Sequence, residues 1–103
     1  MSRIFKDAII TKTKPRRPAA GAKMVTRRLT AEIFVSGGRR IITIRIDEKV
    51  AGHISELRGE WHYMPAGSAK PRAAIGSTEE ELLAWWMRSH GFQYVEDIGV
   101  ADR

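Results

Sequence analysis

The clearest pattern along the chain lies in residues 26–46. Leu29, Ala31, Ile33 and Val35 alternate with Arg28, Thr30, Glu32 and Phe34. After Gly37-Gly38, the residues Arg40, Ile42, Ile44 and Ile46 alternate with Arg39, Ile41, Thr43 and Arg45. A period of two marks a strand with one buried face. Two glycines between such runs tolerate the positive φ of a tight hairpin turn. A turn at Gly37-Gly38 sets Ile33 opposite Ile42, Ala31 opposite Ile44 and Leu29 opposite Ile46. The other face then pairs Phe34 with Ile41, Glu32 with Thr43, Thr30 with Arg45 and Arg28 with Asp47. One register aligns an apolar face and also brings together an opposite-charge pair.

The flanking segments are less regular. Residues 4–13 are rich in β-branched side chains, which suits a strand despite imperfect alternation. Residues 49–55 and 60–64 read as two further strands, with Arg58-Gly59 as the turn between them. Pro65 to Pro71 forms a loop by its Pro, Gly and Ser content. Ser77-Thr78-Glu79-Glu80-Glu81 is a helix start, because Ser77 with Glu80 or Thr78 with Glu81 fits a capping box and the acids sit at the positive end of the helix dipole. Leu82, Leu83, Trp85, Trp86 and Met87 supply a wide apolar stripe, and Gly91 reads as the stop. Residues 92–95 return as a short strand or an extended segment, and 96–103 are expected to fray. The expected fold class is α+β: one domain over 1–103, an antiparallel sheet of about four strands packed on one C-terminal helix, Thr78–Ser89. The sheet's Leu29/Ile33/Ile42/Ile44/Ile46 face is expected to meet Leu82, Leu83 and Trp86. Trp61 and Tyr63 are expected in the core, with the tryptophan N–H groups finding acceptors.

Charge adds a second layer. The chain of 103 residues carries a net +6. Residues 1–45 hold twelve basic residues against Asp7 and Glu32, a local balance of +10, and the remainder balances at −4. Such a dipole attracts polyanions to one end. Lys12, Lys14, Arg16, Arg17, Lys23 and Arg27 are candidate phosphate contacts. Pro15 and Pro18 bias the 14–23 stretch to an extended, flexible basic loop. Arg28, Arg39, Arg40 and Arg45 are candidate base-edge or groove contacts, since a two-stranded ribbon fits the DNA major groove and arginine pairs with guanine there.

Other chemistry is poorly supported. Without cysteine there is no disulfide framework, thiolate metal site or cysteine nucleophile. His53, His62 and His90 lack a metal-ligand spacing, so no metal or other cofactor is expected. No nucleophile elbow or phosphate-cradling glycine loop is present, and the three glutamates at 79–81 are better explained as helix-start charges than as general acids. The expectation is a non-enzyme. No long apolar run or cleavable leader pattern is seen, which points to a cytoplasmic protein without membrane association.

The stretch Val50-Ala51-Gly52-His53-Ile54, followed by Trp61-His62-Tyr63-Met64-Pro65-Ala66-Gly67-Ser68 and Ile75-Gly76-Ser77-Thr78-Glu79-Glu80-Glu81-Leu82-Leu83, resembles small uncharacterised phage and plasmid proteins. In those, an aromatic-x-aromatic-x-Pro-x-Gly-Ser hairpin leads into a capped helix. The resemblance covers about residues 50–83. The element order is also loosely similar to plant-type and integrase-arm DNA-binding domains, whose sheet enters the major groove. That resemblance implies the same use for the strands of residues 26–46. The expectation is therefore a small nucleic-acid-binding protein from a mobile element, with duplex DNA preferred over RNA as partner. The alternatives are a phage-type accessory protein that binds an acidic surface of a host machine, and a ribosome-associated protein. An exposed strand edge could also pair two copies into a homodimer.

Overall fold

The computed structural model describes residues 2–12 and 26–98. Among the described residues, seven strands form a single antiparallel sheet in the order β6-β5-β4-β3-β2-β1-β7. The strands are β1 (Ser2–Lys12), β2 (Thr26–Ser36), β3 (Arg39–Ile46), β4 (Lys49–Leu57), β5 (Glu60–Pro65), β6 (Arg72–Ala73) and β7 (Phe92–Asp97). Helix α1 (Glu79–Ser89) links β6 at one edge of the sheet to β7 at the other, so it lies across one face.

The α+β class with one C-terminal helix holds, but the described residues form seven strands rather than about four. β6 has two residues, paired as His62↔Ala73 and Tyr63↔Arg72, and leaves no periodic trace. β7 pairs with β1 and runs through Asp97, and the Ile98 N–H donates to the Asp7 carbonyl at 2.9 Å. The imperfect alternation of β1 has a definite cause. A bulge falls between Ile4 and Lys6, where Phe5 is an extra residue that packs against the core.

The β2–β3 register is the one the alternation dictates, with Leu29↔Ile46, Ala31↔Ile44 and Ile33↔Ile42. Gly37 and Gly38 have φ of 58° and 79°, both positive as a type I′ turn requires. Two more turns of the same kind follow, at Asp47-Glu48 (53°, 70°) and Arg58-Gly59 (55°, 81°). The Asp47-Glu48 turn has no glycine. It is held by the Asp47 N–H donating to the Arg28 carbonyl (2.8 Å) and by the Arg28 N–H donating to Asp47 Oδ1 (3.0 Å).

The core lies between the helix and the sheet. Ala8, Ile10, Leu29, Ala31, Ile33, Ile42, Ile44, Ile54, Trp61 and Tyr63 from the sheet meet Leu82, Leu83, Trp86 and Met87 from α1. Ile46 and Trp85 are partly buried at its margin. Thr78 is the N-cap, accepting from the Glu81 N–H at 3.2 Å. Glu81 reaches back to the Ser77 N–H and hydroxyl, both at 2.8 Å. These contacts hold the Glu81 carboxyl below its ordinary range, the Ser77 backbone N–H contributing most. The stop at Gly91 has φ of 71°. The indole N–H of Trp86 departs from expectation: it is buried without a hydrogen-bond partner among the described residues. Its ring lies against His90 (4.3 Å between centroids) and Phe92 (5.6 Å).

Candidate nucleic-acid interface

Since α1 covers one face of the sheet, the alternation of β2 and β3 projects Arg28, Thr30, Glu32, Phe34, Arg39, Ile41, Thr43 and Arg45 from the other face. Pairing extends this face in rows. Phe34, Ile41, Ser55 and His62 follow one another across four strands, and Glu32, Thr43, His53 and Met64 form the next row. Arg39 and Arg45 are six residues apart on β3, roughly 20 Å at the rise of a strand. The basic positions are therefore spread toward opposite ends of the sheet.

Two of the three arginines on this face are bound to carboxylates. Arg28 forms a bidentate pair with Asp7, through Nε at 2.9 Å and Nη2 at 2.6 Å. Arg45 Nη1 donates to Glu32 Oε1 at 2.7 Å. Arg39 differs: it is exposed, and its Nε donates to the backbone carbonyl of Glu56 at 3.4 Å. The expected Arg28–Asp47 side-chain pair takes another form. Asp47 binds the backbone N–H of Arg28 and the side chain of Arg27 (2.9 Å). Those two contacts, the backbone one first, push the Asp47 carboxyl below its ordinary range.

Arg40 is not part of this face. It shares the helix side of β3 with Ile42 and Ile44, donates to Glu56 at 3.3 Å and to Glu79 of α1 at 3.4 Å, and lies 5.1 Å above the Trp61 ring. Its role as a groove contact is therefore replaced by one in joining helix to sheet. Lys12, at the end of β1, is exposed and lies 5.2 Å over the Phe92 ring. Lys14, Arg16, Arg17 and Lys23 fall outside the described residues, as does the loop expected at 14–23.

The β2–β3 hairpin is not a free ribbon. Its strands sit in the middle of the sheet, flanked by β1 and β4. A major groove about 12 Å wide admits two strands. Seven strands at a spacing of about 4.8 Å present a much broader surface. Arg28, Arg39 and Arg45 are thus displayed on a platform.

The platform carries a shallow depression of about 360 Å³ lined by Phe34, Arg39, Ile41, Thr43, His53 and Ser55. Phe34 is 42% exposed, a large aromatic left in solvent. Thr43 Oγ1 and His53 Nδ1 are 3.0 Å apart and share a hydrogen bond. Alternation already assigned Phe34, Ile41 and Thr43 to the non-core face, yet basic charge alone does not single them out as a site. Ser55 and His53 join them only through the β3–β4 register, which depends on a bulge between Ile44 and Arg45. Trp61 and Tyr63 are buried, as expected of core residues, and so are not part of this surface. His53 and His62 are not joined by acids into a metal cluster among the described residues. Compared with known protein families, curated proteins and solved structures, the chain matches none.

Proposed function

We propose that the chain binds nucleic acid, using the basic stretch that joins β1 to β2 for phosphate contacts and the helix-free sheet face as a second surface. The supporting observation is how the acids near this half of the chain are used. Asp7 is engaged by Arg28, Asp47 by Arg27, Glu32 by Arg45, Glu56 and Glu79 by Arg40, and Asp97 by Lys6. Residues 8–31 contain no acid at all, but hold Lys12, Lys14, Arg16, Arg17, Lys23, Arg27 and Arg28. Removing Arg27 and Arg28, which are paired, leaves five cations in twelve residues without a local acid in the sequence. Such a density of charge favours a polyanion whose phosphates release counterions when bound.

Phosphate contacts of this kind position a ligand without reading its sequence. Duplex and single-stranded nucleic acids both supply the phosphates. The test is a triple substitution, Lys14→Ala with Arg16→Ala and Arg17→Ala, measured by fluorescence anisotropy against labelled oligonucleotides. Binding weakens, and the slope of log K against log salt becomes shallower by about two to three units, the share of three phosphate contacts. A slope equal to that of the parent protein removes this stretch from the interface.

A further inference from the structure

The depression on the platform has a composition that phosphate binding alone does not need. Phe34 offers an aromatic face to solvent from β2, and Ile41, paired with it on β3, extends the apolar floor. Arg39 stands at the rim with no carboxylate partner among the described residues. Thr43, His53 and Ser55 supply hydroxyl and imidazole groups from the two adjoining strands. Nδ1 of His53 is occupied by Thr43, while Nε2 makes no hydrogen bond within the described residues. A ligand with a flat apolar ring, polar edge atoms and a nearby negative charge satisfies all of these groups together.

We propose that this depression receives an unpaired base, stacked on Phe34 with its phosphate at Arg39, so that the protein prefers single-stranded nucleic acid to duplex. The inference rests on the nucleic-acid reading above and narrows it to a substrate class. In a duplex the base faces are stacked on their neighbours and unavailable to Phe34. In a single strand they are free, and sheet faces with exposed aromatics hold such bases by stacking, with little dependence on sequence. Arg39 suits the flanking phosphate, because a planar guanidinium can form two parallel bonds to its oxygens. Thr43 and His53 then meet the polar edge of the base, where they can refine the choice among bases.

The test compares the parent protein with Phe34→Ala, Phe34→Tyr and Arg39→Ala. Phe34 and Arg39 are both exposed, so these variants are expected to retain the fold, checked by circular dichroism. The probes are a labelled fifteen-nucleotide oligo(dT), the same strand annealed to oligo(dA), and an abasic strand of equal length. The parent binds the single strand more tightly than the duplex. Phe34→Ala weakens single-strand binding by roughly 5- to 150-fold, the loss of one base–aromatic stack. It leaves duplex and abasic binding unchanged, and Phe34→Tyr retains the parent affinity. Arg39→Ala weakens binding to the oligo(dT) and abasic strands alike. If Phe34→Ala binds oligo(dT) as the parent does, or if the duplex is bound as tightly as the single strand, the base site is wrong while nucleic-acid binding stands. Absence of parent binding to all three probes at low salt overturns both.

Discussion

Adding one methyl group at Gly52 tests the packing that joins β4, β5 and the helix. A Cβ built there lies 2.6 Å from both Cε1 and the hydroxyl oxygen of Tyr63, and 2.8 Å from the Met64 carbonyl oxygen. Carbon atoms in ordinary contact are about 3.5–4.0 Å apart, so the Tyr63 ring would have to withdraw by nearly an ångström. It has little freedom to do so. Tyr63 is 2% exposed, its hydroxyl donates to the Ala51 carbonyl at 3.2 Å, and its ring makes edge contacts with Trp85 (6.1 Å) and His90 (5.7 Å). The Met64 carbonyl belongs to the backbone of β5 and cannot turn aside as a side chain would. Overpacking of this type costs about 1–3 kcal/mol. At about 4–8 °C per kcal/mol for a domain of this size, a cost near 2 kcal/mol lowers Tm by roughly 8–16 °C. The assay is thermal unfolding of Gly52→Ala followed by near-UV circular dichroism, where the aromatic cluster contributes. A second variant, Tyr63→Leu, loses the hydroxyl bond but makes room, so Gly52→Ala in that background costs less than it does alone. A Gly52→Ala protein melting within about 2 °C of the parent would mean that Gly52 does not lie against Tyr63.

Three further outcomes are expected. Glu48→Gly raises Tm by about 4–8 °C, because Glu48 holds φ of 70° in a turn that favours glycine and relief of that strain is worth about 1 kcal/mol; an unchanged Tm would mean that the turn carries no strain. Arg40→Ala lowers Tm by a similar amount through the loss of its contacts with Trp61, Glu56 and Glu79, yet leaves the salt dependence of oligonucleotide binding unaltered; a shallower salt slope would return Arg40 to the interface. Glu81 and Asp47 both have carboxyl groups held below their ordinary values of 4.5 and 3.8. Their contributions are complete above the unfolded-state values and are lost as pH falls through the lower folded-state values. Stability is therefore unaffected by these groups from pH 7 to about 5 and declines below that, and Glu81→Gln shows a smaller decline on the acid side. An acid limb identical in Glu81→Gln and parent would show that the cap contacts are not formed in solution.

The β2–β3 hairpin was legible because three independent signals agree on it: strict alternation, a glycine pair and a register that matches apolar partners. The next turn was less so, because Asp47 and Glu48 adopt positive φ with the help of backbone contacts to Arg28 rather than through glycine. β6 consists of two residues that close against β5 and has no pattern of its own. The register-shifting bulge beside Phe5 obscures β1, since one extra residue inverts the expected alternation.

The candidate site was legible in part. Alternation assigns Arg28, Arg39 and Arg45 to the open face, and the structure agrees. The same alternation places Arg40 with Ile42 and Ile44; counting it as a groove contact lets charge override periodicity, and periodicity prevails. The pairing of Arg28 with Asp7 and of Arg45 with Glu32 depends on contacts between strands and on side-chain reach, neither of which composition reveals. The central position of the hairpin in the sheet follows from the strands added on both sides, and the alternation within residues 26–46 carries no trace of it.

On the function proposed above, a polyanion neutralises the basic stretch between β1 and β2. Titration of the parent protein into labelled oligo(dT) from about 50 to 300 mM salt, plotted as log K against log salt concentration, counts the phosphates neutralised. The five cations of residues 12–23 lead to a straight line with a slope of roughly −3 to −5. A slope nearer to zero than about −1, or no binding at the lowest salt, would mean that this stretch does not hold phosphates.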